Sequence, residues 1–393
     1  MKATRKHPAP RGGNGVSTQT KAGSIEALRA SFAAHDHRIL LLQGGGALGA
    51  YHGGVYEGMA AEGFKPDWVV GISIGAINAA LIAGNAPERR VDRLREFWDL
   101  VSAQSPIVLP AAMDAARPMM NRMAAASALF FGIPGFFAPR MPAPQLAPEG
   151  TMAAMSYYDT EPLRATLERL VDFDRINAGG VRLSLGAVNA GSGESVYFDN
   201  TERPITASHV LASGALPPGF PPVEIDGELY LDGGIMSNTP LEYVGRDFKL
   251  SALIVQVDLF SGRGRVPKNL AEVAERVKDI QYQSKARLSR EQVRKVETLR
   301  SLIRDVVAKL PANLRSDPQV KKLAEVTQRG PLSLVHLVNR SDTKSYDFKD
   351  YEFSRATVQD LWRGGFNDIR KVIERPDTCR LDDLGNGVRV FDV

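Results

Sequence analysis

The pentapeptide Gly71-Ile72-Ser73-Ile74-Gly75 sets a serine between two glycines, a spacing that suits acyl transfer. A serine hydroxyl is a weak nucleophile until a base takes its proton, and it must stand clear of the backbone to reach a carbonyl carbon. A sharp strand-to-helix turn gives that exposure and leaves no room for a Cβ on either flank, which accounts for Gly71 and Gly75. The surroundings fit: "DWVVGIS" reads as a buried strand and "IGAINAALIAG" as a helix of small residues. The start of that helix adds a positive dipole end and the Ile74 N–H.

A second cluster lies upstream. Gly44-Gly45-Gly46-Ala47-Leu48-Gly49 has the G-x-G-x-x-G spelling of a dinucleotide-binding turn. Such a site also needs an acidic residue at the end of the second strand, to hold the ribose hydroxyls. Gly71, Ile72 and Ser73 stand there instead, and Asp67 is at the other end of that strand. The glycines suit a different anion, the oxygen that turns negative when a nucleophile adds to an ester. Backbone N–H groups fixed in advance are its usual stabilisers. Gly44, Gly45 and Gly46 are the expected donors, and Gly49 opens the helix that follows.

The base has three candidates. Of the six histidines, His7, His35 and His37 belong to the N-terminal tail or its edge, and His336 falls in an apolar strand. His52 and His209 stay open, although neither has the acidic, loop-borne setting of a triad histidine. Asp232 is stronger. It follows the strand "ELYL" and is held in a turn by Gly233 and Gly234. Burial can raise the proton affinity of such a carboxylate enough for general-base work. The competing reading is a plain Asp-Gly turn.

The elements that must position these residues follow a βαβα order. "RILLLQ" is a strand, Ala50 to Glu62 a helix ended by Gly63 and Pro66, and a more polar helix spans Pro87 to Ser102. Two parallel strands joined by helices predict an α/β sandwich with the sheet inside. Thr160 is a plausible N-cap for the helix in "DTEPLRATLERLVD". Strands flank Gly191-Ser192-Gly193, a short helix runs through "ASHVLAS", and a hairpin turns at Asp226-Gly227. "LSALIVQVDLF" and "LSLVHLV" read as further strands. A long basic helical region covers Arg263 to Arg315, and a last helix crosses "FSRATVQDLWRGGFNDIRKVIE".

The 393 residues, 44% of them hydrophobic, hold enough apolar material for one large domain with an extension, or for two domains. The single cysteine, Cys379, excludes an intramolecular disulfide and a cysteine-based zinc cluster, and fits cytoplasmic residence. Residues 1–37 form a basic tail without the apolar core of a secretory signal and are expected to be disordered. Residues 104–150 interrupt the α/β pattern. Phe130, Phe131, Phe136 and Phe137 flank a Pro134-Gly135 break there, as in a lid, a lipid-contact loop or a cover for the core. Their most apolar stretch, Met123 to Pro139, barely reaches the length of a spanning helix, is diluted by Ala and Gly and is broken at Pro134-Gly135, so it is not expected to cross a membrane.

In order, Gly44-Gly45-Gly46-x-x-Gly49, Gly71-x-Ser73-x-Gly75 and Asp232-Gly233-Gly234 resemble the patatin-like phospholipase family over roughly residues 38 to 245. "ASGALPPGFPPV" and "SNTP" resemble the family's segments before and after its aspartate. The part from 246 to 393, including "KDYEFSRATVQDLWRGGFND", resembles the extension of a bacterial subgroup. The resemblance implies a three-layer α/β/α sandwich with a mostly parallel sheet, and a helical extension that continues the sheet. It also implies a Ser73–Asp232 dyad without histidine, an oxyanion hole at 44–49, and lipid acyl hydrolysis with neither metal nor cofactor. The partner would be a lipid or other ester and no nucleic acid, with peripheral contact to a lipid surface left open. An acyltransferase using the same acyl-enzyme, or an inactive protein that binds lipid or granule surfaces, are the competing readings.

Overall fold

Ile39 to Leu42 are all buried, and their alternation splits them between two hydrophobic cores. Leu40 and Leu42 join one cluster, and Ile39 and Leu41 join another on the opposite face. A strand covered on both sides reads as a continuous aliphatic run, so this strand lies inside its sheet. The computed structural model describes residues 35–102, 117–237, 240–245, 251–327, 332–340, 349–374 and 389–392. Most of the expected tail, residues 103–116, Asn238-Thr239 and Cys379 lie outside the described residues.

The strands are β1 (His37–Leu42), β2 (Trp68–Ile72), β3 (Ala138–Pro139), β4 (Tyr158–Asp159), β5 (Arg182–Asn189), β6 (Ser195–Asp199), β7 (Val223–Ile225), β8 (Glu228–Asp232), β9 (Ala252–Asp258), β10 (Leu332–Val338) and β11 (Arg389–Asp392). The helices are α1 (Ala50–Ala61), α2 (Ile74–Ala83), α3 (Arg90–Val101), α4 (Arg117–Phe131), α5 (Glu161–Leu170), α6 (Phe173–Asn177), α7 (Ala207–Ser213), α8 (Leu241–Val244), α9 (Leu270–Lys309), α10 (Ala312–Arg315), α11 (Pro318–Thr327) and α12 (Arg355–Glu374).

The main sheet runs β11-β10-β9-β1-β2-β5-β8-β7, with β6 also on β5. The strands from β11 to β5 are mutually parallel; β6 and β8 pair antiparallel with β5, and β7 pairs antiparallel with β8. Helices α1, α2, α3 and α12 contribute to one core, and α8 with Val293 of α9 to the other, so the chain is a three-layer sandwich. Asp67, unfit for a ribose, instead accepts the Arg38 N–H at 3.0 Å and fixes the start of β1 against β2.

Helices α1 and α12 cross at contact distance. A Cβ at Gly54 would strike the Trp362 carbonyl, and one at Gly365 would strike the Tyr51 carbonyl. The Tyr51 hydroxyl donates to Asp368 at 3.0 Å across the same crossing. Most of the basic region is one helix of 40 residues, α9, about 60 Å long at 1.5 Å per residue, and Ala312–Arg315 forms a separate short helix. Among the described residues no helix is long and apolar enough to cross a membrane.

Two expectations change. Thr160 flanks α5 but its side chain caps nothing; Asp159, one residue earlier, accepts the Glu161 N–H at 3.1 Å instead. The four phenylalanines of the 104–150 segment do not act together. Phe136 and Phe137 pack into the core against Phe97, Phe220 and Tyr158, whereas Phe130 and Phe131, at the end of α4, are 76% and 72% exposed. The left-handed turn at Gly135 separates the two pairs.

Candidate active site

Strand β5 brings the two ends together. Its Ser184–Gly186 stretch pairs with β2 and with β6, which must therefore occupy opposite edges. Ala187 and Val188 pair with β6 and also with β8, so β8 shares the edge of β2. β2 arrives parallel and β8 antiparallel, so their C-terminal ends meet: Ile72 lies opposite Gly186 and Asp232 opposite Ala187. Ser73, the residue after Ile72, is thus delivered beside Asp232.

Ser73 turns the chain from β2 into α2 with φ 55° and ψ −125°, a left-handed backbone costing about 1–3 kcal/mol in a non-glycine residue. Its carbonyl accepts the Ala76 N–H at 2.8 Å, which starts α2. The space around the turn is full: a Cβ at Gly71 would meet the Gly75 carbonyl, and one at Gly75 the Leu42 carbonyl. The Ser73 N–H donates to the Ser213 carbonyl and to its hydroxyl, both at 3.1 Å. The Ser213 hydroxyl in turn donates to the Gly186 carbonyl at 2.6 Å. Two residues on, the Ala215 carbonyl accepts the Asp232 N–H at 3.0 Å. The turn after α7 is therefore a clip that holds both Ser73 and Asp232.

The Asp232 side chain is 1% exposed. Oδ1 accepts the Gly234 N–H at 2.7 Å; Oδ2 has no formed hydrogen bond, and the Ser73 hydroxyl faces the carboxylate. Burial raises its pKa from 3.8 to about 6, against the Ser73 hydroxyl and the Gly234 N–H, which pull it down. Gly233 packs on the Gly186 carbonyl, where a Cβ would come within 2.6 Å. The turn beyond is held by Lys285 of α9, whose ammonium donates to the Ile235 carbonyl at 2.7 Å. Leu216, Ile235 and Met236, close along the chain to these residues, are exposed apolar side chains.

The glycine cluster follows β1, next to β2. Gly46 has φ 56° and begins a short 3-10 turn, Gly46–Gly49, that leads into α1. Among the described residues, neither Gly45 nor Gly46 spends its N–H on a backbone carbonyl. The Ala47 N–H donates to the Asp350 carbonyl at 2.8 Å. A Cβ at Gly49 would overlap Ile74, so the turn lies directly on the start of α2. Asn78, a lone polar residue on the apolar α2, fastens the turn from below: its amide donates to the Gly49 carbonyl at 3.0 Å and accepts from Trp98 at 3.1 Å.

The histidines have other work. His52 is fully buried beneath the glycine turn. The amide nitrogen of Asn78 is a donor, so Nδ1 of His52 accepts at 3.2 Å and the proton sits on Nε2. Burial lowers its pKa to about 3. His209 closes a capping box, with Nδ1 accepting the Thr206 N–H at 3.0 Å. His336 pairs with Asp258 at 2.8 Å; burial works against that carboxylate, yet His336, Arg290 and Gln256 keep its pKa below the usual range. Ser213, Asn78 and Asp350 went unassigned in the sequence, although Ser213 and Asp350 sit inside the quoted segments "ASGALPP" and "KDYEF".

A family model described as patatin-like phospholipase matches residues 40–244, and one described as patatin phospholipase matches residues 280–383. No curated protein matches. Among solved structures, VipD from Legionella pneumophila is 15% identical, with 86% of this chain and 67% of that one covered and a TM-score of 0.38. Human GIVD cytosolic phospholipase A2 is 11% identical, with 92% of this chain and 64% of that one covered and a TM-score of 0.40.

Proposed function

Because the chain belongs to the patatin-like phospholipases, a family of lipid-hydrolysing enzymes, we propose that it is a serine acyl hydrolase working through a Ser73–Asp232 dyad. The observation that carries this reading is a buried carboxylate with one oxygen unbonded, facing a serine on a strained strand-to-helix turn. Asp232 takes the proton of Ser73 as its hydroxyl oxygen attacks the ester carbonyl carbon. The carbonyl oxygen becomes negative against the N–H groups of the glycine turn, chiefly Gly45 and Gly46. The C–O bond to the alcohol then breaks, and Asp232 returns the proton to the leaving oxygen. A water molecule, deprotonated by Asp232, releases the acid and restores Ser73. A carboxyl with a pKa of about 6 is mostly ionised at neutral pH and still basic enough to hold the proton in passing.

The exposed Leu216, Ile235 and Met236 support an apolar acyl chain as the group presented to Ser73. The test is hydrolysis of a short-chain aryl ester and of phospholipid by the parent, Ser73→Ala and Asp232→Asn. Loss in both variants, with fluorophosphonate labelling confined to Ser73, is the expected result. Activity that survives Asp232→Asn would overturn the dyad.

A further inference from the structure

Residues 349–353 lie against the glycine turn from the far end of the chain. The Asp350 carbonyl takes the Ala47 N–H at 2.8 Å, and it stands so close to Gly46 that no Cβ fits there. The left-handed backbone of Gly46 and the direction of the neighbouring N–H groups therefore depend on where Asp350 sits. Helix α9 fixes that place with two ion pairs of opposite sense on adjacent residues. Lys278 holds the Asp350 carboxylate at 2.9 and 3.1 Å, and Asp279 holds Lys349 at 2.5 Å, with Glu275 adding a contact at 3.2 Å. A slip by one residue would oppose like charges, so the two pairs define a single register. On the inner side Phe353 packs between Trp98 and Phe136.

We propose that residues 349–353 are a strap that sets the geometry of the oxyanion turn, with the Lys278–Asp350 pair as its positioning contact. Neither residue is proposed to touch substrate. The proposal rests on the Ser73–Asp232 reading, because a turn that holds no oxyanion needs no positioning. A turn displaced by a fraction of an ångström stabilises the tetrahedral intermediate less while leaving ester binding intact, so the loss belongs in kcat.

The experiment compares the parent with Lys278→Ala, Asp350→Asn, their double variant, Lys278→Arg and Ser73→Ala on an aryl ester, alongside second-order labelling of Ser73 by a fluorophosphonate. Removal of one oxyanion donor costs about 10²–10³ in rate, and a misplaced turn is expected to cost about tenfold. That tenfold loss should appear equally in kcat and in labelling, with KM within about twofold and the pH midpoint unmoved, since Asp232 is untouched. The double variant should be no worse than either single, and Lys278→Arg should recover most of the rate. Asp350→Asn keeps the size of the side chain, so it serves if Lys278→Ala fails to fold. Parent-like kcat and labelling in both single variants, while Ser73→Ala is dead, would overturn the strap and leave the dyad standing. A shifted pH midpoint, or no recovery with arginine, would also overturn it. A parent that neither hydrolyses nor labels at Ser73 would remove both readings together.

Discussion

Asp232→Asn should abolish hydrolysis and make the protein more stable at the same time. The folded carboxyl titrates at about 6 against 3.8 when it is unconstrained. Between these values the native state binds a proton that the unfolded chain has lost. Stability therefore falls as pH rises through that window and stays low above it. A difference of about two units corresponds to about 3 kcal/mol against folding at pH 8 and about 1 kcal/mol at pH 4.5. Asparagine removes the buried charge, keeps an oxygen for the Gly234 N–H and turns an N–H toward Ser73. Guanidinium unfolding of parent and variant at the two pH values reads the effect directly. The variant should gain about 2–3 kcal/mol at pH 8 and clearly less at pH 4.5. With Asp232 as the proposed base, kcat/KM of the parent should fall about tenfold from its plateau to pH 5. Equal stability gains at both pH values, or none at pH 8, would refute the burial argument. A parent whose kcat/KM stays flat down to pH 5 would refute the assignment of Asp232 as the base.

Ser213→Ala removes a fully buried hydroxyl that bridges the Ser73 N–H and the Gly186 carbonyl. It should cost about 1–3 kcal/mol in denaturant unfolding and lower kcat more than it raises KM, since the elbow loses a tether. Gly365→Ala drives a methyl into the Tyr51 carbonyl and should spread α12 from α1. A loss of about 1–3 kcal/mol is expected by the same unfolding assay, with the ester KM unchanged.

The elbow was legible because its constraint falls on side-chain types. Only glycine fits at 71 and 75, the strand before is apolar throughout, and the helix after is apolar but for Asn78. The glycine turn could be separated from a nucleotide site by the missing acid, and the sheet by its two-sided aliphatic strands. Asp232 carried a weaker signal, and its burial follows from the way β2 and β8 meet on one edge of β5. Ser213 was hidden because a serine before a glycine reads as a helix end. Asp350 acts on the turn through a carbonyl that any residue could supply, so no residue type marked it. The split of the four phenylalanines depends on the backbone at Gly135, which hydrophobicity does not encode. Thr160 takes the N-cap position of α5 as read, but the side chain that bonds this end belongs to Asp159.

Strand β1 pairs early with β2 on one edge but waits for β9 on the other, and the glycine turn waits longer still, for Asp350. A ribosome delivers these partners in that order. The nascent chain carries Ser73 well before Asp350, so on the proposed reading the site is completed late in synthesis. A copy stalled or clipped between residues 258 and 349 would carry serine and aspartate with the glycine turn unsupported and the edge of α1 that receives α12 bare. On the proposed reading of the dyad and strap, such fragments would be poor hydrolases.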